Sequence, residues 1–313
     1  MIDQRTTTST TSRTLHPSLD PNAPIFIPKN HVKLGNTIKK STDLINISTF
    51  NARSLRHKTA EISYFVKTHK IHVLAVSETW LGPSIPDSMI ALPGFQAPFR
   101  NDRNAMGGGV CIYVSTSLPC RHREDIQTPG LEIIWVELSN VGKRPLLVGC
   151  CYRPPSSHRY FYTLLDENLD AVAGRDILLL GDFNAKNSNW CETDRTSTAG
   201  ILLKDLLDSF NLTQLCTQPS HLDNHGIPHS LLDLVITNRS DYFKSVMVHP
   251  PLGSSDHLPI SLESNFPHTT AWHAPQVNSP IWLFGLKKED RMLFAFDQIE
   301  WENVFRNDNI DEL

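Results

Sequence analysis

Between positions 44 and 266 this chain is built from short apolar runs of strand length, each closed by turn residues or by a single polar side chain. Nine runs stand out: Leu44–Phe50, Ile71–Ser77, Val110–Ser115, Leu131–Leu138, Leu146–Tyr152, Asp176–Leu180, Leu231–Thr237, Ser245–His249 and Leu258–Glu263. Their richness in Ile, Val and Leu and their length predict strands. Three amphipathic segments lie among them. Lys58–Lys70 carries Ile62, Phe65 and Val66, and Tyr160–Ala173 carries Phe161, Leu164, Leu165 and Leu169. In the third, Leu203, Leu206, Leu207 and Phe210 repeat at i, i+3, i+4 and i+7, a helical stripe. So many strands with so few helices exceed what one doubly wound sheet needs, and two packed sheets flanked by helices accommodate them.

The ends differ from this body. Residues 1–40 hold nine Ser and Thr in the first 20 positions, followed by Pro21, Pro24 and Pro28, and are expected to be a disordered leader. Residues 41–266 form the expected globular domain. Residues 267–313 are expected to be a linker and the start of a helical connector, with Met292, Leu293, Phe296 and Ile299 at helical spacing. No run reaches the ~18 apolar residues of a membrane span, and the polar start lacks the apolar core of a secretory signal. A location in nucleus and cytoplasm, without membrane attachment, is the expectation. Six cysteines without a CxxC pair suit reduced, buried thiols. A net charge of −4 excludes wholesale electrostatic coating of nucleic acid but says nothing about enzymes.

The chemistry-bearing residues fall where apolar runs end. Asn51 follows Phe50, Glu78 follows Ser77, and Tyr152 closes a run before Pro154-Pro155. Asp182 and Asn184 follow Leu178-Leu179-Leu180-Gly181, Asp233 interrupts Leu231–Ile236, and Asp256-His257 precede Leu258. Each alone is an ordinary turn or cap residue. Together, on one rim of a packed sheet, they form a set suited to an anionic phosphodiester. Glu78 and Asn51 offer the hard oxygens of an open Mg²⁺ site. A His257–Asp233 pair keeps a proton near neutral pH to stabilise pentacovalent charge. Asp182 is placed to orient or deprotonate water, and Asn184 and Tyr152 to hold phosphate oxygens.

Six words in order then resemble the endonuclease/exonuclease/phosphatase superfamily, and within it the endonuclease domain of non-LTR (LINE-like) retrotransposons. They are Phe50-Asn51-Ala52-Arg53-Ser54-Leu55, Ser77-Glu78-Thr79-Trp80, Cys151-Tyr152-Arg153-Pro154-Pro155, Gly181-Asp182-Phe183-Asn184-Ala185, Leu232-Asp233-Leu234-Val235-Ile236 and Ser255-Asp256-His257. The resemblance covers about residues 44–265 and implies a DNase I-like four-layer α/β sandwich, two packed mixed sheets flanked by helices. It implies a Mg²⁺-dependent nick (Mn²⁺ as a substitute) in double-stranded DNA that leaves a 3′-hydroxyl to prime reverse transcription. Asn51, Glu78 and Asp256 are the implied metal-side residues. Tyr152, Asp182, Asn184, Asp233 and His257 are the implied catalytic group, with Ser255 beside the substrate. Arg53 stands where apurinic endonucleases carry a second metal-side Asp. Ser220 replaces a Thr common in the family and is left out of the site. The tail, at Trp282–Leu286 and Ile299-Glu300-Trp301, resembles the connector toward a reverse transcriptase, so retroelement RNA and that polymerase portion are the implied partners. No Tyr-x-Asp-Asp motif occurs in the chain.

DNA contact is expected from Ser84–Arg103, the segment after Asn184 and His221–His229, with Arg100 and Arg103 on backbone phosphates. His221, His225 and His229 recur every four residues, but Gly226 and Pro228 break any helix that could gather them on a metal. Gly107-Gly108-Gly109 lacks the helix and Lys of a phosphate loop. Trp135 reads as core, and Trp190 as an exposed stacking candidate. Competing readings are a superfamily phosphatase acting on inositol phosphates or lipids, and an inert retroelement remnant.

Overall fold

The computed structural model describes residues 40–269, apart from Ala105 and Asn140. Nearly all of the expected leader and of the linker and connector lie outside the described residues. In chain order the elements are β1 (Lys40–Asn51), α1 (Thr59–Thr68), β2 (Ile71–Ser77), β3 (Phe99–Asn101), β4 (Val110–Val114) and β5 (Cys120–His122). Then come β6 (Glu132–Leu138), β7 (Leu146–Tyr152), α2 (Tyr160–Ala171), β8 (Asp176–Asp182), α3 (Thr198–Ser209) and β9 (Thr213–Gln214). The last are β10 (His221–Leu222), β11 (Pro228–Ser230), β12 (Asp233–Thr237), β13 (Phe243–Val248) and β14 (Ile260–Thr269). Strand pairing therefore runs from Lys40 to Thr269, slightly past both expected edges of the body.

Two six-stranded mixed sheets form, in the orders β13-β14-β1-β2-β4-β3 and β5-β6-β7-β8-β12-β9, with β10-β11 as a separate hairpin. The parallel pairs are β1–β2 and β7–β8; the other neighbours are antiparallel. The two-residue period of a strand sorts the first sheet's side chains onto two faces. Val73, Ala75, Val110, Ile112 and Val114 enter the large core shared with the second sheet. Their alternates Leu74, Val76, Cys111 and Tyr113 meet Ile62, Phe65 and Val66 of α1 in a second core. Helix α1 has no side-chain cap, so this apolar face, worth about 1.5–3 kcal/mol per large side chain, is what holds it in place. On the other side α2 and α3 send Leu165, Leu169, Leu203 and Leu207 into the shared core. The fold is the expected four-layer α/β sandwich. Trp135 is fully buried, as expected, and its indole donates to Asn168 Oδ1 of α2 at 2.8 Å.

Two glycines matter to the rim where β7 and β8 end. Gly181 has φ +133°, and a Cβ there would lie 1.9 Å from the Cys151 carbonyl oxygen. No other residue fits so close to the neighbouring strand. Gly200, in the first turn of α3, would place a Cβ 1.8 Å from the Lys186 carbonyl oxygen. The helix thus packs directly on the loop after Asn184. Ser197 caps it, accepting from Gly200 N at 3.0 Å, and its own amide donates to Lys186 O at 3.0 Å.

Candidate active site

Strand register assembles the site. Across the second sheet Glu132, Tyr152, Asp182 and Asp233 are successive cross-strand partners, forming one row at the rim. Across the first sheet Asn51 partners Ser77, and Glu78 is the next residue, at φ +49°. Two bonds join the rows, and a third ties a loop to Asn51. Asn51 Nδ2 donates to Asp182 Oδ2 at 2.9 Å. The Tyr152 hydroxyl donates to the Glu78 carboxylate. Ser255 Oγ, in the loop before β14, donates to the Asn51 carbonyl at 2.8 Å. The same loop delivers His257, whose Nδ1 lies 2.7 Å from Asp233 Oδ2. Asn51, Glu78, Tyr152, Asp182, Asn184, Asp233, Ser255, Asp256 and His257 therefore meet at one rim although the sequence spreads them over two hundred residues.

Burial sets the protonation states. Asp182 is buried, which raises its pKa, and the Asp233 charge raises it further to about 7. His257 and hydrogen bonds from Asn184 N and Asn51 oppose that rise. For His257 burial alone favours the neutral ring. The charge and hydrogen bond of Asp233, with the charges of Asp182 and Asp256, overcome it and lift the pKa to about 9. At neutral pH the row thus holds a carboxylate able to take a proton beside an imidazolium that keeps one.

The metal-side residues are both linked to Asn51 through their chain neighbours. Glu78 follows its cross-strand partner, and Asp256 follows the Ser255 bonded to its carbonyl. Asp256 Oδ1 is buried without a hydrogen-bond partner. An open carboxylate oxygen is a donor that fits a hard divalent cation. The other oxygen, Asp256 Oδ2, pairs with the Arg53 guanidinium.

Several side chains do other work than the sequence suggested. Both amide hydrogens of Asn184 are spent, on Arg153 O at 2.9 Å and Asp182 Oδ2 at 3.1 Å. It orients Asp182 and has no N–H left for phosphate. Arg100 is engaged by its own neighbours. Its side chain, 14% exposed, is held by Asp87 at 2.7 Å, Asp102 at 2.6 Å and the Ile85 carbonyl at 2.8 Å. Arg103 stays at the edge of the site, bonded to Glu132 at 2.9 Å, with its guanidinium 5.7 Å from the Tyr152 ring centroid. Trp190 is buried, because the loop after Asn184 folds under the start of α3 through Asn187 Nδ2 and the Gly200 carbonyl.

Other residues join the site without having been expected there. Ser220 is fully buried; its Oγ donates to Asp233 Oδ2 at 2.8 Å and accepts from the amides of Leu232 and Asp233. Its only signal was its place opposite the family's Thr. Trp80 donates its indole N–H to Glu78 Oε2 at 2.9 Å. The buried Arg153 guanidinium donates to the carbonyls of Phe183 and Asn184. The three histidines do not converge on one another, and β10-β11 is a hairpin as the Gly and Pro dictate. Yet His221 alone packs on His257, ring centroids 4.8 Å apart.

Comparisons agree with this geometry. Residues 146–261 match the family model described as endonuclease-reverse transcriptase. The chain is 26% identical over 243 residues to the RNA-directed DNA polymerase from mobile element jockey of Drosophila funebris, covering 75% of this chain and 24% of that protein. The jockey protein of Drosophila melanogaster is 27% identical over 226 residues, covering 69% and 23%. The chain thus spans about a quarter of the length of the curated relatives it matches. Among solved structures, the endonuclease domain of TRAS1, a telomere-specific non-LTR retrotransposon, superposes with a TM-score of 0.58 at 16% identity, covering 71% of this chain and 98% of that one. The AP endonuclease LMAP from Leishmania major gives 0.60 at 14% identity, covering 71% and 88%. In fold the chain is similar to nuclease-type members of the endonuclease/exonuclease/phosphatase superfamily. More narrowly, its sequence and fold are similar to those of non-LTR retrotransposon proteins and their endonuclease domain.

Proposed function

We propose that this domain is a divalent-metal-dependent DNA endonuclease that hydrolyses one phosphodiester of a duplex and leaves a 3′-hydroxyl from which reverse transcription starts. The observation that carries the reading is the cross-strand pairing of Asp182 with Asp233, which sets a base next to the His257 imidazolium. Glu78 and Asp256 would hold Mg²⁺ or Mn²⁺, which when bound would supply charge neutralisation at a phosphate oxygen. Asp182, fixed by Asn51 and Asn184, takes a proton from the attacking water. His257 Nε2 donates to the phosphate oxygen that gains charge, while Asp233 holds its Nδ1. The P–O3′ bond breaks and the leaving 3′-oxygen takes a proton from solvent, giving a 5′-phosphate and a 3′-hydroxyl. Ser255 fixes the Asn51 backbone, and Arg103, together with Lys186 and Arg195 of the loop after Asn184, faces the flanking backbone phosphates. The surrounding polyprotein supplies the reverse transcriptase and element RNA, and the domain works in the nucleus after cytoplasmic synthesis. No described helix is long and apolar enough to cross a membrane.

Relaxation of supercoiled plasmid in Mg²⁺ tests the reading. Glu78→Gln is expected to remove most nicking while leaving the fold intact. Full activity of that variant, or of the wild type in excess chelator, rejects the metal assignment. Release of phosphate from inositol phosphates without any plasmid relaxation replaces the nuclease by a phosphatase.

A further inference from the structure

We propose that His221, Asp256 and His257 form a Zn²⁺-binding site which, when filled, silences the domain. The silencing rests on the nuclease reading; the site does not. The donor atoms of these three residues lie within 4.8 Å of one another. His221 Nε2 is 3.5 Å from Asp256 Oδ2, and His257 Nε2 is 4.0 Å from Asp256 Oδ1. Ligands of a tetrahedral zinc with bonds of about 2.0–2.1 Å sit about 3.4 Å apart, so small side-chain rotations close the set. The Arg53 guanidinium occupies Asp256 Oδ2, whereas Oδ1 is buried without a hydrogen-bond partner. That open oxygen faces the ring nitrogen it would share a metal with.

Two imidazoles and one carboxylate select a borderline ion over Mg²⁺, which prefers oxygen alone. The surroundings of His257 are those of a metal-bound imidazole. Its Nδ1 is held at 2.7 Å by Asp233, whose Oδ2 also accepts from Ser220 at 2.8 Å. This outer carboxylate fixes the tautomer that leaves Nε2 free to bind. The backbone keeps His221 in place: it stands opposite His257 in an isolated antiparallel bridge, in which Leu222 N donates to Asp256 O at 2.8 Å and Leu258 N to Ser220 O at 2.7 Å. Zinc binding releases the His257 Nε2 proton to solvent and leaves three protein ligands with a fourth position for water. The proton that stabilises phosphate charge is then gone, and the carboxylate needed on the metal side is engaged.

Co²⁺ and Zn²⁺ titrations of the full chain, wild type against His221→Ala and His221→Gln, test the site directly. The expected result is one Co²⁺ per wild-type chain with the intense visible absorption of a tetrahedral centre, bleached by Zn²⁺. Both variants, folded by circular dichroism, are expected to bind about tenfold or more weakly. Comparison with the variants separates this site from binding by thiols. Unchanged Zn²⁺ and Co²⁺ binding in the variants, or no saturable binding by the wild type, overturns the site. In plasmid assays with Mg²⁺, zinc is expected to silence the wild type, and whatever nicking each variant retains is expected to resist zinc. Equal inhibition of all three overturns the silencing. If the wild type binds zinc through His221 yet never nicks, the nuclease reading falls and the metal site stands.

Discussion

Asp233→Asn keeps the shape of the residue and removes the charge that holds the proton on His257. The His257 side chain is 7% exposed and Asp233 is fully buried. With Asp233 charged, the imidazole pKa rises from the ordinary 6.5 to about 9 against the opposing effect of burial. A fall from about 9 back to 6.5 corresponds to about 3 kcal/mol of coupling. The same variant removes a charge that raises Asp182, so the Asp182 carboxyl is expected to titrate lower. The sign for stability follows from linkage. Because the folded pKa of His257 is raised, its contribution is complete below about pH 6.5 and is lost as pH rises through about 9. Urea unfolding at pH 6 and at pH 9.5 should therefore show a drop of about 3 kcal/mol from this group in the wild type and little in the variant. Long-range proton–nitrogen NMR of the His257 ring follows the titration itself. A ring that still titrates near pH 9 in Asp233→Asn refutes the assignment of its proton to Asp233.

Ser220→Ala removes a hydroxyl that bonds a buried carboxylate and two amides, and is expected to cost about 3 kcal/mol in urea unfolding, with Ser220→Thr retaining most of it. A cost below about 1 kcal/mol removes Ser220 from the support of Asp233. Arg100→Ala is expected to lower stability by about 1–3 kcal/mol while leaving the salt dependence of plasmid binding unchanged, since its charge is already matched by Asp87 and Asp102; a flatter salt dependence returns it to the DNA surface. The pH–rate profile for nicking is expected to be bell-shaped, rising as Asp182 loses its proton and falling as His257 loses its own. A profile flat from pH 6 to 10 contradicts both roles.

The long strands and the three helices were legible because a core facing two layers imposes period two or period 3.6 on the residues that enter it. The candidate site was legible for a related reason: Asn51, Glu78, Asp182 and Asp233 each interrupt or end an apolar run, and register brings run ends together. Strands β3, β5, β9, β10 and β11, of two or three residues, are too short to show a period. Ser220 was not legible because its meeting with Asp233 depends on the intervening β10-β11 hairpin turning the chain back. Arg100 looked like a free cation because nothing in the local pattern shows that Asp87 and Asp102 fold onto it. Trp190 looked exposed because its neighbours are polar, whereas those polar groups satisfy the backbone of a loop packed under α3.

The chemical end left at the nick tests the hydrolytic reaction most directly. Supercoiled plasmid is incubated with the protein in Mg²⁺, and the open-circular product is offered to a DNA polymerase without phosphatase treatment. Cleavage by Asp182-activated water with the P–O3′ bond broken gives ends that extend at once, and gives no open circles with Asp182→Asn, His257→Ala or chelator. Open circles that extend only after removal of a 3′-phosphate, or no relaxation by the wild type at all, contradict it.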